Sequence, residues 1–489
     1  MRLAELVDGW AQVSARHEAV EILHLTCDSR LAEAGSLFVA VNGARADGLS
    51  YAGDAIRRGA VAVLCPKDSR VRASSRELGV PVLRVADVRA TMAHVGSVFF
   101  GAPSRRLEVV GVTGTKGKTT TTWLVDRIFR VAGRRTGLFG TVENRVGDAT
   151  FEASNTTAGC LDLQRWCHEL VDVGGTHATI EVSSHALEQK RTAEIDFDCA
   201  VFTNIAPEHL DYHGTMDRYL ATKTLLFSQL RASAVAVLPR DEAAAQYIAR
   251  HTRANIRWYG CEPEDGVTCL TMSSEGSEFT WHGTRMRTTL WGLFNLENAF
   301  AAMTAAECCG IDRATIAEAM REPVLPPGRL EEVRYRRPAP FRVVVDYAHT
   351  DGSLQAVLET LRPMTSGRLI TVFGCGGDRD ASKRPRMGRV AENGSDRVIV
   401  TSDNPRSELP KRILDDIVSG LAKPLDAVVL DDRRDAIALG IRMAQPGDTV
   451  LIAGKGHETY QEIDGHRFHF DDREVAREFL QEVLETAMT

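Results

Sequence analysis

The chain has no long apolar run. Stretches such as 234–238 and 398–400 rank among its most hydrophobic, and they fall far short of the ~20 residues that a membrane-spanning helix needs. Its start, MRLAELVDGW, has neither the basic opening nor the apolar core of a signal peptide. A cytoplasmic protein without membrane insertion is therefore expected. Positive charge is not in excess either: 59 Lys and Arg stand against 66 Asp and Glu, a net charge of -7. No global basic field recruits nucleic acid, so an anionic substrate must be held by local Lys, Arg and backbone N–H groups. The 10 cysteines contain no C-x-x-C pair, and Cys308 and Cys309 are adjacent in a helical pattern. In a reducing compartment these read as free, largely buried thiols. There is no internal repeat and no low-complexity tract.

What is present is ordinary globular material, 44% hydrophobic and 26% charged over 489 residues. At roughly 150 residues per domain that length predicts about three domains, each able to bury its own core. Short Val/Ile-rich runs alternate with helical patterns. Residues 109–112 precede a helix from Lys118, 178–182 precede 186–191, and 341–345 precede 353–362. Further on, 369–373 precede 386–393, 397–401 precede 411–419, and 449–453 end in a Gly-rich turn. The fold class is α/β, with parallel sheets covered on both faces. GAPSRR at 101–106 and PVLPPGR at 323–329 mark boundaries. They predict domains over 1–102, 103–325 and 326–489. The stretch 250–290 is less regular and reads as short strands on one edge of the middle domain.

The sharpest local signal is GVTGTKGKT, beginning at Gly111 between a strand and a helix. Glycines let successive N–H groups face a phosphate chain, and the helix N-terminus adds partial positive charge. Lys118 reaches the terminal phosphates and Thr119 ligates Mg²⁺ in such loops. A ligand-free tight turn is the competing reading, and it leaves a lysine without a partner. The common spacing G-x-x-x-x-G-K-[ST] is not met, because the place of its first glycine is taken by Val112. The variant G-x-T-G-T-x-G-K-T points to a different group of ATP users.

That loop resembles the one in the Mur ligases and their relatives, the folylpolyglutamate and cyanophycin synthetases. EVSSHAL from Glu181, NIAPEHLDYHG from Asn204, YLATK ending at Lys223, FN at Phe294 with Asn298, PGR ending at Arg329, DYAH from Asp346 and GKGHE from Gly454 occur in that family's order. Together they resemble its tripeptide-forming branch, over residues from about 27 to 470. The resemblance implies three domains: an N-terminal UDP-sugar domain, a central P-loop-type ATPase domain and a C-terminal Rossmann-like domain for the incoming amino acid. It implies an ATP-dependent ligase of peptidoglycan synthesis that phosphorylates the terminal carboxylate of UDP-N-acetylmuramoyl-L-alanyl-D-glutamate. The amine of a diamino acid then attacks the acyl phosphate.

The resemblance also assigns residues. Gly114, Thr115, Lys116, Gly117, Lys118, Thr119 and Thr120 form the ATP loop. Asn298 takes the adenine side, while Arg329, Asp346 and His349 surround the nucleotide. Glu181, His209 and Lys223, the last as a carbamate, are expected to hold Mg²⁺ beside Thr119, and with Lys118 they are the expected catalytic group. A carbamate turns a lysine cation into an anion, which suits a metal site. Glu208 stands where the family usually has Asp. Ser29 is the uracil-side contact, and Asn155, Thr156, Thr157, Ser183, Gln189 and Arg191 hold the muramoyl dipeptide. Ala158 and Asp351 replace prolines usual in the family, which changes loop stiffness.

DNPR from Asp403 through Asn404 to Arg406 accompanies meso-2,6-diaminopimelate in that family. Arg379, Gly454 and Glu458 complete the pocket, and Lys383 is a further lining candidate. A guanidinium grips a second, distal carboxylate with two parallel hydrogen bonds, and lysine offers no such group. Three alternatives stand beside this reading. The ligase adds lysine or another diamino acid; or it is a folate or cyanophycin type; or it is an inactive scaffold, which has no use for an intact loop and metal group. A monomer is expected.

Overall fold

The computed structural model describes residues 1–486 apart from 44–45, 72–73, 274 and 337–338. The chain divides into two compact units. The first is Met1–Gly260 with Phe300–Ala319, and the second is Cys261–Ala299 with Met320–Thr489.

The first unit opens with a four-stranded parallel sheet of β1 (His24–Thr26), β2 (Ser36–Val39), β3 (Ala60–Pro66) and β4 (Val82–Val85), paired in that order. Successive residues of β2 enter two different cores. Leu37 and Val39 pack with Val95 of helix α1 (Val88–Phe99), while Phe38 joins Ala52 and Ala55 on the other face. Both faces being covered explains why the strand reads as one unbroken apolar run.

The same unit holds an eight-stranded sheet of β5 (Glu108–Thr113), β6 (Thr136–Phe139), β7 (Glu143–Val146), β8 (Ala149–Glu152), β9 (His177–Glu181), β10 (Cys199–Phe202), β11 (Val235–Pro239) and β12 (Asn255–Tyr259), with strand order β12-β11-β10-β5-β9-β6-β7-β8. All pairs are parallel except β6 with β7 and β7 with β8, so β7 alone runs against the others. Helices α2 (Lys118–Val131), α3 (Cys160–Asp172), α4 (Ser184–Glu188) and α5 (Met216–Ser228) connect these strands. The chain runs from β5 to β6 on one side and later crosses to β10 on the other. The end of β5 is therefore the switch point where such sheets place ligands. Register sets Val112 of β5 beside Glu181, the last residue of β9.

In the second unit, β13 (Val267–Ser273), β14 (Gly276–Trp281) and β15 (Thr284–Thr288) form their own antiparallel sheet. This corrects the edge-strand expectation for 250–290, since only β12 pairs onto the large sheet. A six-stranded sheet follows: β16 (Glu331–Glu332), β17 (Arg342–Asp346), β18 (Leu369–Phe373), β19 (Arg397–Val400), β20 (Val428–Val429) and β21 (Thr449–Ala453), ordered β16-β17-β21-β18-β19-β20. All pairs are parallel except β16 with β17. Leu369 and Phe373 pack under α6 (Asp351–Leu361), α7 (Lys383–Gly394) and α8 (Pro410–Val418). Ile370 and Val372 pack against α9 (Arg433–Arg442) and α10 (Asp472–Thr486). A hairpin of β22 (Tyr460–Ile463) and β23 (His466–His469) lies between β21 and α10 in sequence.

All 10 cysteines are free thiols. Five are buried, and Cys27 and Cys269 are exposed, so burial is less general than expected. Among the described residues no helix is long and apolar enough to cross a membrane.

Candidate functional site

The loop after β5 is shaped by what crosses it. The segment after β10 supports it from below: the amides of Thr115 and Lys116 donate to Asn204 O and Oδ1, both at 2.9 Å. A Cβ at Gly114 would overlap the Thr203 hydroxyl, and Gly117, with φ +83, caps the start of α2. Glycine is required at both places, one for close approach and one for a left-handed turn. Thr115 Oγ1 lies 3.2 Å from the Tyr219 hydroxyl, and Lys116 pairs with Glu208 at 3.1 Å. Lys118 folds back, donating to Gly114 O at 3.0 Å and Thr115 O at 2.9 Å. Thr120 is buried on the first turn of α2.

Glu181 is the hub beside this loop. It is fully buried, and its carboxylate accepts from Thr119 Oγ1 at 3.0 Å, the Thr141 amide at 2.9 Å and Thr141 Oγ1 at 3.0 Å. It has no salt-bridge partner among the described residues. Burial pushes its pKa up, against the hydrogen bonds from Thr141 and Thr119 and the charge of Lys118. A buried carboxylate with hydroxyl neighbours and no salt-bridge partner among the described residues suits a metal ion.

The dipeptide candidates join the same network. Thr156 Oγ1 lies 3.2 Å from Thr141 Oγ1. Thr157 Oγ1 donates to Glu181 O at 2.8 Å and accepts from the Ser183 amide at 3.0 Å. Ser183 caps α4 by accepting from the Ala186 amide. Arg191 donates to Thr157 O at 2.8 Å and to Gln189 Oε1 at 2.9 Å. Asn155 is exposed, and its side-chain amide donates to Ser154 Oγ at 3.3 Å. Ser29 is not part of this network; it is buried at the start of a short turn, Ser29–Leu31, near the first sheet.

Lys223, on α5, is 1% exposed, donates to Gly114 O at 2.8 Å and sits over the Tyr219 ring at 4.4 Å. Burial, then the charge of Lys118, pushes its pKa well below the usual lysine range. His209 has a left-handed backbone, φ +57, and its ring lies edge-on to His185 at 4.9 Å. Partial burial lowers its pKa, with His185, Lys118 and Lys223 acting in the same direction, so the ring is held neutral, the form that binds metal.

The remaining nucleotide candidates lie on the second unit. Asn298 is buried on the helix Leu293–Cys308. Arg329 stacks over Tyr347 at 4.6 Å, and its buried Nε has no hydrogen-bond partner. Asp346 accepts from the Leu330 amide at 2.7 Å, and His349 Nδ1 bonds to Tyr347 O at 2.8 Å. Lys383 donates to His349 O at 2.7 Å, so it supports this segment. Asp351, in place of proline, opens α6 behind a Thr350 cap and pairs with Arg386 at 3.2 Å. Ala158, the other substituted proline, is a core residue.

The amino-acid candidates converge at the carboxyl ends of β19 and β21. Asn404 Nδ2 donates to Glu458 at 2.7 Å, while its Oδ1 accepts from Lys455 Nζ at 3.1 Å and the Glu462 amide at 3.0 Å. A Cβ on Gly454, φ +119, would lie 2.8 Å from Asp403 Oδ2. Arg406 has φ +52, an uncommon conformation for a residue with a side chain. It donates to Gly377 O at 2.7 Å and approaches Glu462 at 3.7 Å, which leaves Nη2 without a protein hydrogen bond among the described residues. Arg379 is exposed, and a Cβ on Gly376 would sit 2.9 Å from Arg406 Nη1 and 3.9 Å from Arg379 Cγ. The bare backbone of Gly376 thus leaves room for the Arg406 guanidinium beside the stem of Arg379.

Four residues here were not singled out from the sequence. Thr141 ties Glu181 to Thr156, and Asn204 holds the loop. Lys455 is fully buried among Asn404, Asp403 at 3.7 Å and Glu458 at 3.5 Å. The His457 ring packs tilted against Tyr347 at 5.0 Å, and its buried Nδ1 has no hydrogen-bond partner among the described residues. Lys455 and His457 lie inside the quoted GKGHE, where only Gly454 and Glu458 were assigned. Thr141 follows a strand in a short turn and carries no motif.

Comparison with known proteins adds independent information. Models of the Mur ligase family, catalytic domain, the Mur ligase middle domain and the Mur ligase, glutamate ligase domain match residues 21–97, 112–306 and 328–456. The chain is 44% identical over 475 residues to the UDP-N-acetylmuramoyl-L-alanyl-D-glutamate–2,6-diaminopimelate ligase of Geobacillus kaustophilus, spanning 94% of this chain and 95% of that one. It is 41% identical over 492 residues to the protein of the same name from Halalkalibacterium halodurans, spanning 99% of each. A solved structure of a ligase of that name superposes with a TM-score of 0.70 at 34% identity over 99% of both chains. A folylpolyglutamate synthase from Mycobacterium tuberculosis, complexed with ADP and AMPPCP, has a TM-score of 0.61 at 19% identity over 75% of this chain and 92% of its own, a likeness of fold alone.

Proposed function

This chain belongs to the Mur ligase family, and on that premise we propose that it is an ATP-dependent ligase joining meso-2,6-diaminopimelate to UDP-N-acetylmuramoyl-L-alanyl-D-glutamate. Support for this choice of substrates comes from the names of its relatives and from the chain's own residues. Arg406 carries the reading: its Nη2 makes no protein hydrogen bond among the described residues, and it lies on the same short segment as Asp403 and as Asn404, which donates to Glu458. Two cations suit a distal carboxylate, and two carboxylates suit the neighbouring ammonium.

The reaction begins with attack of the D-glutamate carboxylate oxygen on the γ-phosphorus of ATP, with ADP leaving. Lys118 and the amides of the loop neutralise the phosphates. To do so, Lys118 exchanges the carbonyls of Gly114 and Thr115 for phosphate oxygens. Thr157, Ser183, Gln189 and Arg191 orient the dipeptide carboxylate. The free amine of the diamino acid then attacks the acyl carbon, loses a proton, and the tetrahedral adduct expels inorganic phosphate. Positioning of anionic reactants and charge neutralisation supply most of the acceleration.

Mg²⁺ fits the donor set. Glu181 is buried without a salt-bridge partner among the described residues, Thr119 offers a hydroxyl at 3.0 Å from it, and His209 is kept neutral. Among the described residues no three His, Cys, Asp or Glu side chains converge; Thr119 and a carbamate on Lys223 would complete the donor set. When bound, the ion supplies neutralising charge at the phosphates and the acyl oxygen.

Hydroxylamine trapping tests the activated carboxylate. With ATP and the UDP-linked dipeptide but no amino acid, a hydroxamate of the dipeptide should form, and it should need both substrates. If neither hydroxamate nor ADP forms under those conditions, the acyl-phosphate route is wrong for this enzyme.

A further inference from the structure

The two segments that carry the amino-acid candidates follow β19 and β21, which are not neighbours. β18 lies between them, so the two strands do not hydrogen-bond to each other, and the backbones past their ends meet farther on, where Arg406 pairs with Glu462 and Asp464. Arg433, the first residue of α9, bridges the gap. It is fully buried, and it donates from Nη1 to Ser402 O at 3.2 Å and from Nη2 to Ala453 O at 3.1 Å. Ser402 directly precedes Asp403, and Ala453 directly precedes Gly454. The other donors, from Nε and Nη2, meet Asp472, the first residue of α10, at 2.7 Å each.

We propose that Arg433 is a positioning residue for the incoming diamino acid, fixing the spacing of the Asp403–Arg406 and Gly454–Glu458 segments from behind. This rests on the reading that those segments bind the diamino acid. An ion pair that only pinned α9 to α10 would need Asp472 alone. Here the planar fork instead divides its donors between one carboxylate and the carbonyls at the roots of two recognition segments. A lysine has neither the planar spread nor the donor count to reproduce this. Arg433 is wholly buried and touches no substrate, so its effect passes through the two carbonyls.

The test is steady-state kinetics of Arg433→Lys beside Ile441→Ala. Ile441 is a fully buried core residue of the same helix α9, away from both carbonyls, and reports the cost of loosening the helix. Arg433→Lys should raise KM for the diamino acid roughly 10–100-fold, with KM for ATP and for the UDP-linked dipeptide unchanged. Ile441→Ala should lower the melting temperature without that selective change. Asp472→Asn keeps the shape and one acceptor oxygen, and should show a smaller rise confined to the same substrate. It serves as the second variant should Arg433→Lys not fold. An unchanged KM for the diamino acid in the variant that folds, equal rises for all three substrates, or the same selective rise in Ile441→Ala would overturn the proposal. Wild-type preference between meso-diaminopimelate and L-lysine tests the underlying reading separately, and the KM split is measured with whichever of the two the wild type accepts.

Discussion

Replacing Lys223 by alanine, or by arginine, is expected to lower kcat by roughly 10²–10³-fold, the scale for losing one preorganised charge at a reacting centre. The two substitutions separate two roles. If Lys223 acted as a cation on the phosphates, arginine would retain much of the activity. The structure argues for the other role. Its amine is 1% exposed, packed on Tyr219 and close to a second cation, Lys118. Burial and that neighbour both favour the neutral amine. A neutral amine adds CO₂, forming an N–C bond and releasing one proton, and the product is an anion. That anion would face the cation of Lys118 and would offer a metal ion a ligand. Arginine cannot form it. Activity of Lys223→Ala should therefore return in part with added short carboxylic acids, measured as ADP release, while Lys223→Arg should not respond. Near-normal turnover by Lys223→Arg would exclude the carbamate.

Arg406→Ala is expected to cost about 3 kcal/mol of preference for a distal carboxylate, which is about a 100-fold change in the ratio of kcat/KM for meso-diaminopimelate over L-lysine. Most of this should appear as lost diaminopimelate turnover. With lysine bound, the open Nη2 of Arg406 would lose water without gaining a carboxylate partner, so lysine should gain modestly in the variant. The ratio is read from parallel rates with each amino acid at several concentrations. An unchanged ratio would move recognition to Arg379 or elsewhere.

Much of the first unit's site was legible because its signals are local. A Gly-rich loop between a strand and a helix specifies its own geometry, and Glu181 at the end of an apolar run marks the carboxyl end of a strand. That β9 lies beside β5 is a matter of sheet order, and no local pattern encodes it. The same limit explains the strands at 250–290. Their strand character is local, but the choice between joining a large sheet and forming a small one depends on distant partners. Hidden helpers follow the same logic. Thr141 supplies one hydroxyl and one amide from a turn without a motif. Arg433 and Asp472 are 39 positions apart, and each opens a helix as an ordinary surface charge would. Lys455 was visible in GKGHE, but its full burial among Asp403, Asn404 and Glu458 is a tertiary fact. Charged residues read from sequence default to the surface, whereas Arg433, Lys455 and Asp472 are buried here.

The most direct test of the central claim is substrate-dependent phosphate release by the full chain with ATP, Mg²⁺ and UDP-N-acetylmuramoyl-L-alanyl-D-glutamate, comparing meso-diaminopimelate with L-lysine. Release with diaminopimelate and little or none with lysine is the predicted result. Equal or faster release with lysine would contradict the assignment of Arg406 and the choice of amino acid, and no release with either would contradict the proposed reaction itself.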